Sequence, residues 1–356
     1  MKNEESPRRS SGGFSLIELM VAMGILSVLM LMMTVLIDEI QKSWNYSENR
    51  LGQFREARVA FDLMAKNIGQ ATLNTYWDLS YDQSTGDVDG YIKASELHFL
   101  TVDADELSAS ATQQPTGHAV FFQAPLGFST NFRNLNNLFN GRGYFVAYGS
   151  DERFRPSFVD AEDRYRFRLM EFRPPAEENQ VFADGLDERE RNERQEFTDW
   201  FKHTLSVGQG DFEEHLNPLA ENIITLIVAP RDSIESVGED RTKDTYSRIA
   251  RNYEFDSNTE DPDLKKFSQQ VPPLVRVTMV AMDEASAVRL GNEQSMPDLV
   301  PDNLFDDTEN YEADVIALSD HLNNFSMNGQ DMTINHRVFS TLVLLRSAKW
   351  STLDLD

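Results

Sequence analysis

The sequence predicts an α+β fold, in which a long N-terminal helix lies against a β-rich head with long loops. One observation is an apolar run over residues 12–37 that contains a single acid. A second is a stripe of apolar side chains at helical spacing over residues 54–71. The third is a series of short β-branched and aromatic segments after residue 76, divided by polar, glycine-rich or proline-rich breaks.

The apolar run is long enough to cross a membrane. It reads GGFSLIELMVAMGILSVLMLMMTVLI, and residues 19–37 within it carry no charge. A helix of that stretch is about 28 Å long, close to the hydrocarbon core of a bilayer at about 30 Å. A secretory signal peptide has a shorter apolar core and a small-residue cleavage site behind it, whereas Asp38 and Glu39 follow this run. We therefore expect the run to be retained as a membrane span.

Glu18 is the one charged residue of the run. A carboxylate inside a membrane helix costs about 2.5–3.5 kcal/mol on insertion scales, so it is expected only where a partner charge neutralises it. Cleavage after Gly13 would supply that charge, because the new α-amine of Phe14 would lie four residues before the acid. An ordinary single-pass anchor fits the length equally well but leaves Glu18 unexplained.

This arrangement resembles the type III signal sequence of type IV pilins and of the pseudopilins of type II secretion. In those families the leader ends in glycine, the mature chain begins with phenylalanine and its fifth residue is glutamate. The resemblance implies that a prepilin peptidase cuts between Gly13 and Phe14 and methylates the Phe14 amine. It also implies that Glu18 acts in assembly with other pilin or pseudopilin subunits.

The charges around the span predict its orientation. Lys2, Arg8 and Arg9 precede it and acids follow it, which places the leader, residues 1–13, on the cytoplasmic side. The transmembrane half of the helix is then residues 14–37 of an inner-membrane, single-pass protein, and the head is periplasmic or, after assembly, at the cell surface.

The helix is predicted to continue beyond the membrane. Residues 38–75 form its amphipathic half, and one helix from about Phe14 to Leu73 is the economical interpretation. Gly52 and Gly69 weaken it locally. A coiled-coil stalk is less favoured because the stripe lasts about three heptads without a clear charge pattern at its flanks. The stripe consists of Phe54, Ala57, Phe61, Met64, Ile68 and Ala71.

The head, residues 76–356, is predicted to hold short strands, one clear helix at 307–322 and several long loops. At least one face of strand 274–282 is expected to be buried. The predicted loops are 177–196, 231–263 and 284–306. The predicted strands are 96–102, 118–123, 143–148, 165–172, 223–229, 274–282 and 338–346.

The head carries two further resemblances. LVRVTMVAMDEASAVRL and AENIITLIVAPRD, at 274–290 and 220–232, resemble strands of the J-type minor pseudopilin of type II secretion. A likeness along most of the chain is to the prepilin-like cassette protein C family of verrucomicrobial genomes, which is defined by its prepilin-type start and gene neighbourhood. Its segments are FREARVAFDLMAKNIGQATLNTYWD at 54–78, GRGYFVAYGSD at 141–151, RFRLMEFRPPAE at 166–177 and RVFSTLVLLRSAKWS at 337–351.

Composition and motifs narrow the function classes. A net charge of −26 argues against binding the nucleic-acid backbone, so no nucleic-acid partner is expected. The absence of cysteine excludes disulfides and thiolate metal sites. The strong signatures of hydrolases, P-loop proteins, zincins and dinucleotide-binding proteins are missing. The six histidines show no metal-ligand spacing, and we expect neither catalysis nor a required cofactor.

One loop, TGDVDGYIKASE at 85–96, invites comparison with a calcium loop. Asp87, Asp89 and Glu96 stand where an EF-hand has positions 3, 5 and 12, but Thr85 occupies the first position, which needs an acid. A turn that enters a strand explains the same residues. Acids at 302–309 are likewise expected at a helix start because of its dipole. Calcium binding is therefore left as an open alternative.

The functional prediction is a minor structural subunit of a type IV pilus or a type II secretion pseudopilus, because the head is large for a tightly repeated fibre subunit. Its expected partners are the prepilin peptidase, other pilin-like subunits and the inner membrane. The alternative is a single-pass anchored binding protein that does not polymerise and that uses Trp77, Trp200 or Trp350. A membrane-anchored enzyme with a scattered site is a third possibility.

Overall fold

The structure is a computed structural model. It describes residues 15–82, 84–107, 113–132, 135, 137–156, 158, 161–178, 215–232, 249–259, 267–327 and 329–348, leaving out the side chains of 42–53 and 330. The chain divides into two units, residues 1–52 and residues 53–356.

Helix α1 spans Leu16–Ile68. It therefore ends before Leu73, where the stripe of apolar residues predicted its end. The last turn tightens, because the backbone N–H of Gln70 donates to the carbonyl oxygen of Asn67 at 3.0 Å. Four residues beyond the helix, the N–H of Thr72 donates to the carbonyl of Gln123 in the head. Ala71 is still buried, but it lies beyond the helix, which explains why an apolar pattern alone overestimated the helix length.

The described head holds 13 strands in four antiparallel sheets. A six-stranded sheet has the order β7-β6-β5-β4-β3-β9, a three-stranded sheet has the order β13-β10-β8, and β1-β2 and β11-β12 form separate hairpins. The strands are β1 Tyr76–Tyr81, β2 Val88–Ala94, β3 Phe99–Asp103, β4 Gln113–Pro125, β5 Phe139–Ser150, β6 Tyr165–Phe172, β7 Leu216–Glu221, β8 Ile223–Arg231, β9 Phe255–Asp256, β10 Leu274–Met282, β11 Phe325–Met327, β12 Gln330–Met332 and β13 His336–Leu344.

Two short α-helices accompany the sheets in the described part of the head. Helix α2 is Glu284–Leu290, and the side chain of Asp283 caps it by accepting from the N–H of Ser286 at 2.8 Å. The prediction of a loop throughout 284–306 is therefore wrong over this stretch. Helix α3 is Tyr311–Asn323. It corresponds to the predicted helix at 307–322, except that a 3₁₀ turn, Thr308–Asn310, precedes it.

The three-stranded sheet lies between α1 and α3. On one side the rings of Phe61 in α1 and Phe339 in β13 are 5.9 Å apart. On the other side the hydroxyl of Tyr311 in α3 lies 2.6 Å from that of Thr278 in β10 and 3.2 Å from that of Ser340 in β13. Because successive strand residues point to opposite faces, both faces of this sheet are covered, and β10 is buried over nearly its whole length.

The six-stranded sheet also buries both faces. Val120 and Phe122 in β4 join the core that includes residues 57–71. Phe121, between them, belongs to a second core on the opposite face, together with Phe145 and Phe172. The architecture is the α+β, pilin-like arrangement that the sequence predicts: a long apolar N-terminal helix followed by a β-rich region with few helices.

Candidate functional site

The predicted cleavage residues Gly13 and Phe14 lie outside the described residues, so the predicted cut stays a prediction. Glu18 lies in the first turn of α1 and is exposed. Its Oε2 accepts a hydrogen bond from the N–H of Ser15 at 3.3 Å, and the Oγ of Ser15 accepts one from the N–H of Ile17 at 3.2 Å. These contacts satisfy two amides at the helix start, where an acid is also favoured by the helix dipole.

Among the described residues, one helical segment is long and apolar enough to cross a membrane, Leu16–Gln41. Its side chains are exposed along its full length. Its two hydroxyls are satisfied within the helix: Ser27 Oγ donates to the carbonyl of Met23 at 2.8 Å, and Thr34 Oγ1 donates to that of Met30 at 2.9 Å. Internal hydrogen bonds of this kind suit a helix that water does not reach. The segment fits a membrane anchor.

Comparison with protein families gives a match for this segment. Residues 8–34 match the family model described as the prokaryotic N-terminal methylation motif. The chain carries a prepilin-type signal. The matched range includes the positions of Gly13, Phe14 and Glu18, and it covers a small part of the chain. Neither the curated proteins nor the solved structures contain a match to the chain. The likenesses to the J-type pseudopilin and to cassette protein C therefore stay predictions.

A buried polar network ties the end of the prepilin helix to the head. Asn67 Nδ2 donates to the hydroxyl of Tyr144 at 2.7 Å, and that hydroxyl donates to Glu171 Oε1 at 2.8 Å. Arg142 NH1 lies 3.3 Å from the same carboxylate oxygen. All four residues are buried, and burial raises the pKa of Tyr144 well above its usual value. The network fixes how residues 53–68 of α1 lie on β5 and β6.

The network was not predicted, although the sequence contains a signal for it. Arg142 and Glu171 are charged residues inside strands that are otherwise rich in apolar and aromatic side chains. Charges at such positions are buried only when they are paired. What the sequence could not supply was the pairing, because it joins residues far apart in the chain.

The candidate calcium loop at 85–96 forms part of a hairpin. Gly86 has a φ of 74° in the turn, and Asp82 Oδ1, rather than a residue of the predicted loop, accepts from the N–H of Ser84 at 2.7 Å. Asp89 lies in β2, inside the candidate loop, and the strand β3 follows Glu96 where an EF-hand has its exiting helix. Glu96 accepts hydrogen bonds from Asn74 and from the hydroxyl of Tyr76. Calcium binding at this loop stays an open alternative.

The described histidines occupy separate structural positions. Nε2 of His98 lies 2.5 Å from Asp256 Oδ1, and Nδ1 of His118 accepts from the N–H of Val228 at 3.2 Å. His203 lies outside the described residues. Within the described ranges, no three histidine or acidic side chains are grouped so that they could hold a metal ion.

Of the three tryptophans proposed as binding residues, Trp77 is described, and Trp200 and Trp350 lie outside the described residues. Trp77 is 66% exposed, although tryptophans commonly lie in the core. Lys93, its partner across the hairpin, holds its Nζ 5.8 Å from the centre of the ring. Tyr91 lies on the same face and is 70% exposed. The hairpin therefore presents aromatic side chains to the surface.

Proposed function

We propose that this chain is a minor pilin- or pseudopilin-like subunit that a prepilin peptidase processes and that its N-terminal helix assembles into a fibre. The observation that carries the proposal is one acid, Glu18, in the first turn of α1, directly before the uncharged apolar run of residues 19–37. The matched methylation motif supports processing at this end of the chain.

The mechanism is assembly rather than turnover. Cleavage between Gly13 and Phe14 frees an α-amine, which the peptidase methylates without removing its charge. In the fibre, Glu18 meets the Phe14 amine of a neighbouring subunit, and the two charges neutralise each other in an environment where an unpaired carboxylate is strongly disfavoured. This pairing sets the register of neighbouring subunits. The head, whose main core includes buried residues of α1 from Ala57 to Ile68, stays outside the bundle formed by the apolar N-terminal segments.

The Glu18→Ala variant tests this proposal in cells that contain the peptidase and the other subunits of the fibre. Incorporation into the sheared fibre or secretion complex should fall at least about tenfold, because breaking a buried charge pair costs about 3–5 kcal/mol. Insertion into the membrane should be unchanged. Glu39→Ala, at the other end of the apolar span, is the matched control and should assemble normally. Normal incorporation of Glu18→Ala would overturn the proposal.

The proposal also includes that the chain is a minor subunit of the fibre and that it is related to the J-type pseudopilin or to cassette protein C. Both parts are supported by the size of the head, which extends over residues 76–356, and by the segments quoted above. A fibre fraction in which this chain is far less abundant than a second subunit would agree with minor status. A fibre that consists mainly of this chain would contradict it.

The exposed aromatic hairpin favours a second candidate function. An anchored periplasmic or surface binding protein would use Trp77 and Tyr91 to contact a partner and would not polymerise. Aromatic side chains are enriched at such contacts. Under this alternative, Glu18→Ala would leave the affinity for the partner unchanged, and Trp77→Ala would reduce that affinity.

A further inference from the structure

A cavity of about 440 Å³ opens between the six-stranded sheet, the three-stranded sheet and the loop that precedes α3. This volume lies within the range of small-molecule sites, about 300–1,000 Å³. Its walls are partly apolar: Phe167, Ile227, Leu299 and Phe305 line it and are buried. Neither the fibre proposal nor the matched motif gives this cavity a role.

Acidic side chains surround the cavity. Five exposed aspartates line it, and they come from the end of β3, the turn after it and the loop before α3. Within the described residues, no lysine, arginine or histidine forms an ion pair with any of them. Asp105 is exposed, but its partial loss of hydration, together with the nearby carboxylates of Asp103 and Asp302, raises its pKa. The five residues are Asp103, Asp105, Asp298, Asp302 and Asp306.

The wall also contains a buried hydroxyl, which lies against Gly117. Thr225 in β8 lines the cavity and is 1% exposed, and its Oγ1 makes no hydrogen bond to any described residue. Gly117, which has a φ of 71°, lies directly against it. A β-carbon at Gly117 would come within 2.3 Å of Oγ1, so a side chain at that position is excluded. Buried hydroxyls without a partner are uncommon in proteins.

We propose that this cavity binds a primary ammonium group carried on an apolar stem, such as a lysine side chain of a partner protein or a free polyamine. The apolar walls match the methylene stem, and the aspartates match the cationic head. A metal ion fits less well, because no three acidic or histidine side chains in the described part of the chain are grouped as metal ligands. The site does not depend on fibre assembly.

Binding can be measured by calorimetric titration of the full chain in non-ionic detergent with Nα-acetyl-lysine N-methylamide. We expect saturation at one site and no binding of the uncharged analogue Nα-acetyl-norleucine N-methylamide. The double variant Asp105→Asn/Asp302→Asn should lower the affinity for the lysine probe at least tenfold. Asp331→Asn, an exposed acid on β12, is the control for general charge and should change the affinity less than twofold.

Two further arms identify the source and the class of the ligand. Spermidine that binds more tightly than the lysine probe, with the same dependence on the variants, would indicate a free polyamine; the reverse order would indicate a protein side chain. Equal weakening by Asp331→Asn and by the double variant would show only diffuse attraction to an acidic protein and would overturn the site. Calcium chloride that displaces the lysine probe at equal concentration would also overturn it, in favour of a metal site.

Discussion

Gly143 in β5 lies beneath the ring of Phe121 in β4, and its missing side chain is a requirement of the packing. A β-carbon there would lie 2.4 Å from two ring atoms of Phe121. Gly143→Ala should therefore lower the free energy of unfolding by about 1–3 kcal/mol through overpacking. The measurement is denaturant unfolding of the full chain in detergent. Gly90→Ala is the control, because its β-carbon would meet no atom within 4 Å; an equal loss in both variants would contradict the packing argument.

His118 should make the stability of the head depend on pH. Burial lowers its pKa from 6.5 to about 4. Between these values the unfolded chain binds a proton that the folded chain does not, so the free energy of unfolding should fall as the pH decreases from 6.5 through 4. The loss attributable to this residue is on the order of 3 kcal/mol.

The contribution of His118 can be separated from that of the carboxylates by comparing how steeply the free energy of unfolding changes with pH. Asp105 and Asp314 have raised pKa values and change the stability in the opposite direction. Unfolding should be followed between pH 4 and 7 for the wild type and for His118→Gln. The variant should show a smaller decrease at acid pH; identical slopes would show that His118 is not the group responsible.

At the level of single residues, the sequence identified Glu18 because a charge in an apolar run is visible without a structure. The pairing of Arg142 with Glu171 was not visible, since it depends on the register of β5 and β6. Trp77 lies at the surface of the hairpin, although tryptophans commonly lie in the core, so its residue type alone does not predict its position. Local chemistry was predictable, whereas contacts between distant residues were not.

At the level of elements, two strands with a strong pattern of β-branched and aromatic residues were predicted with the correct first and last residues. The predicted strands at 165–172 and 274–282 coincide with β6 and β10, because dense β-branched and aromatic residues end at turn signals. The hairpin of β1 and β2 was not predicted, since it has little buried surface to impose an alternating pattern. Helix α2 is too short for a helical period to be recognised.

The docking of α1 residues 53–68 on the head supports another prediction. Phe61 is buried and its ring lies 5.9 Å from that of Phe339. Phe61→Ala should lower the free energy of unfolding by about 3–5 kcal/mol, because it removes apolar contacts and leaves a cavity. Val59→Ala, two residues away and exposed, should change it by less than about 0.5 kcal/mol. Thermal unfolding of both variants in detergent checks this, and a stable Phe61→Ala head would contradict the docking.

At the level of the whole molecule, the α+β class and the order of a long helix before a β-rich head were predictable, because they depend on hydrophobic period and length. The prepilin-type signal was also predictable, because the predicted cleavage residues Gly13 and Phe14 and the acid Glu18 lie within six consecutive positions. The cavity between the sheets was not predictable, since its walls come from β3, β4, β6, β8 and the loop before α3. Neighbouring residues therefore suffice to predict the function of the N-terminus. The function of the head depends on contacts between residues that are distant in the sequence.

Processing of the prepilin-type signal can be tested directly by the mass of the N-terminal peptide. The full chain should be purified from cells that contain a prepilin peptidase, digested and analysed by mass spectrometry. If the signal is processed, the first peptide begins at Phe14 and carries one methyl group on its α-amine. A chain that still begins at Met1 under these conditions would show that the signal is not processed.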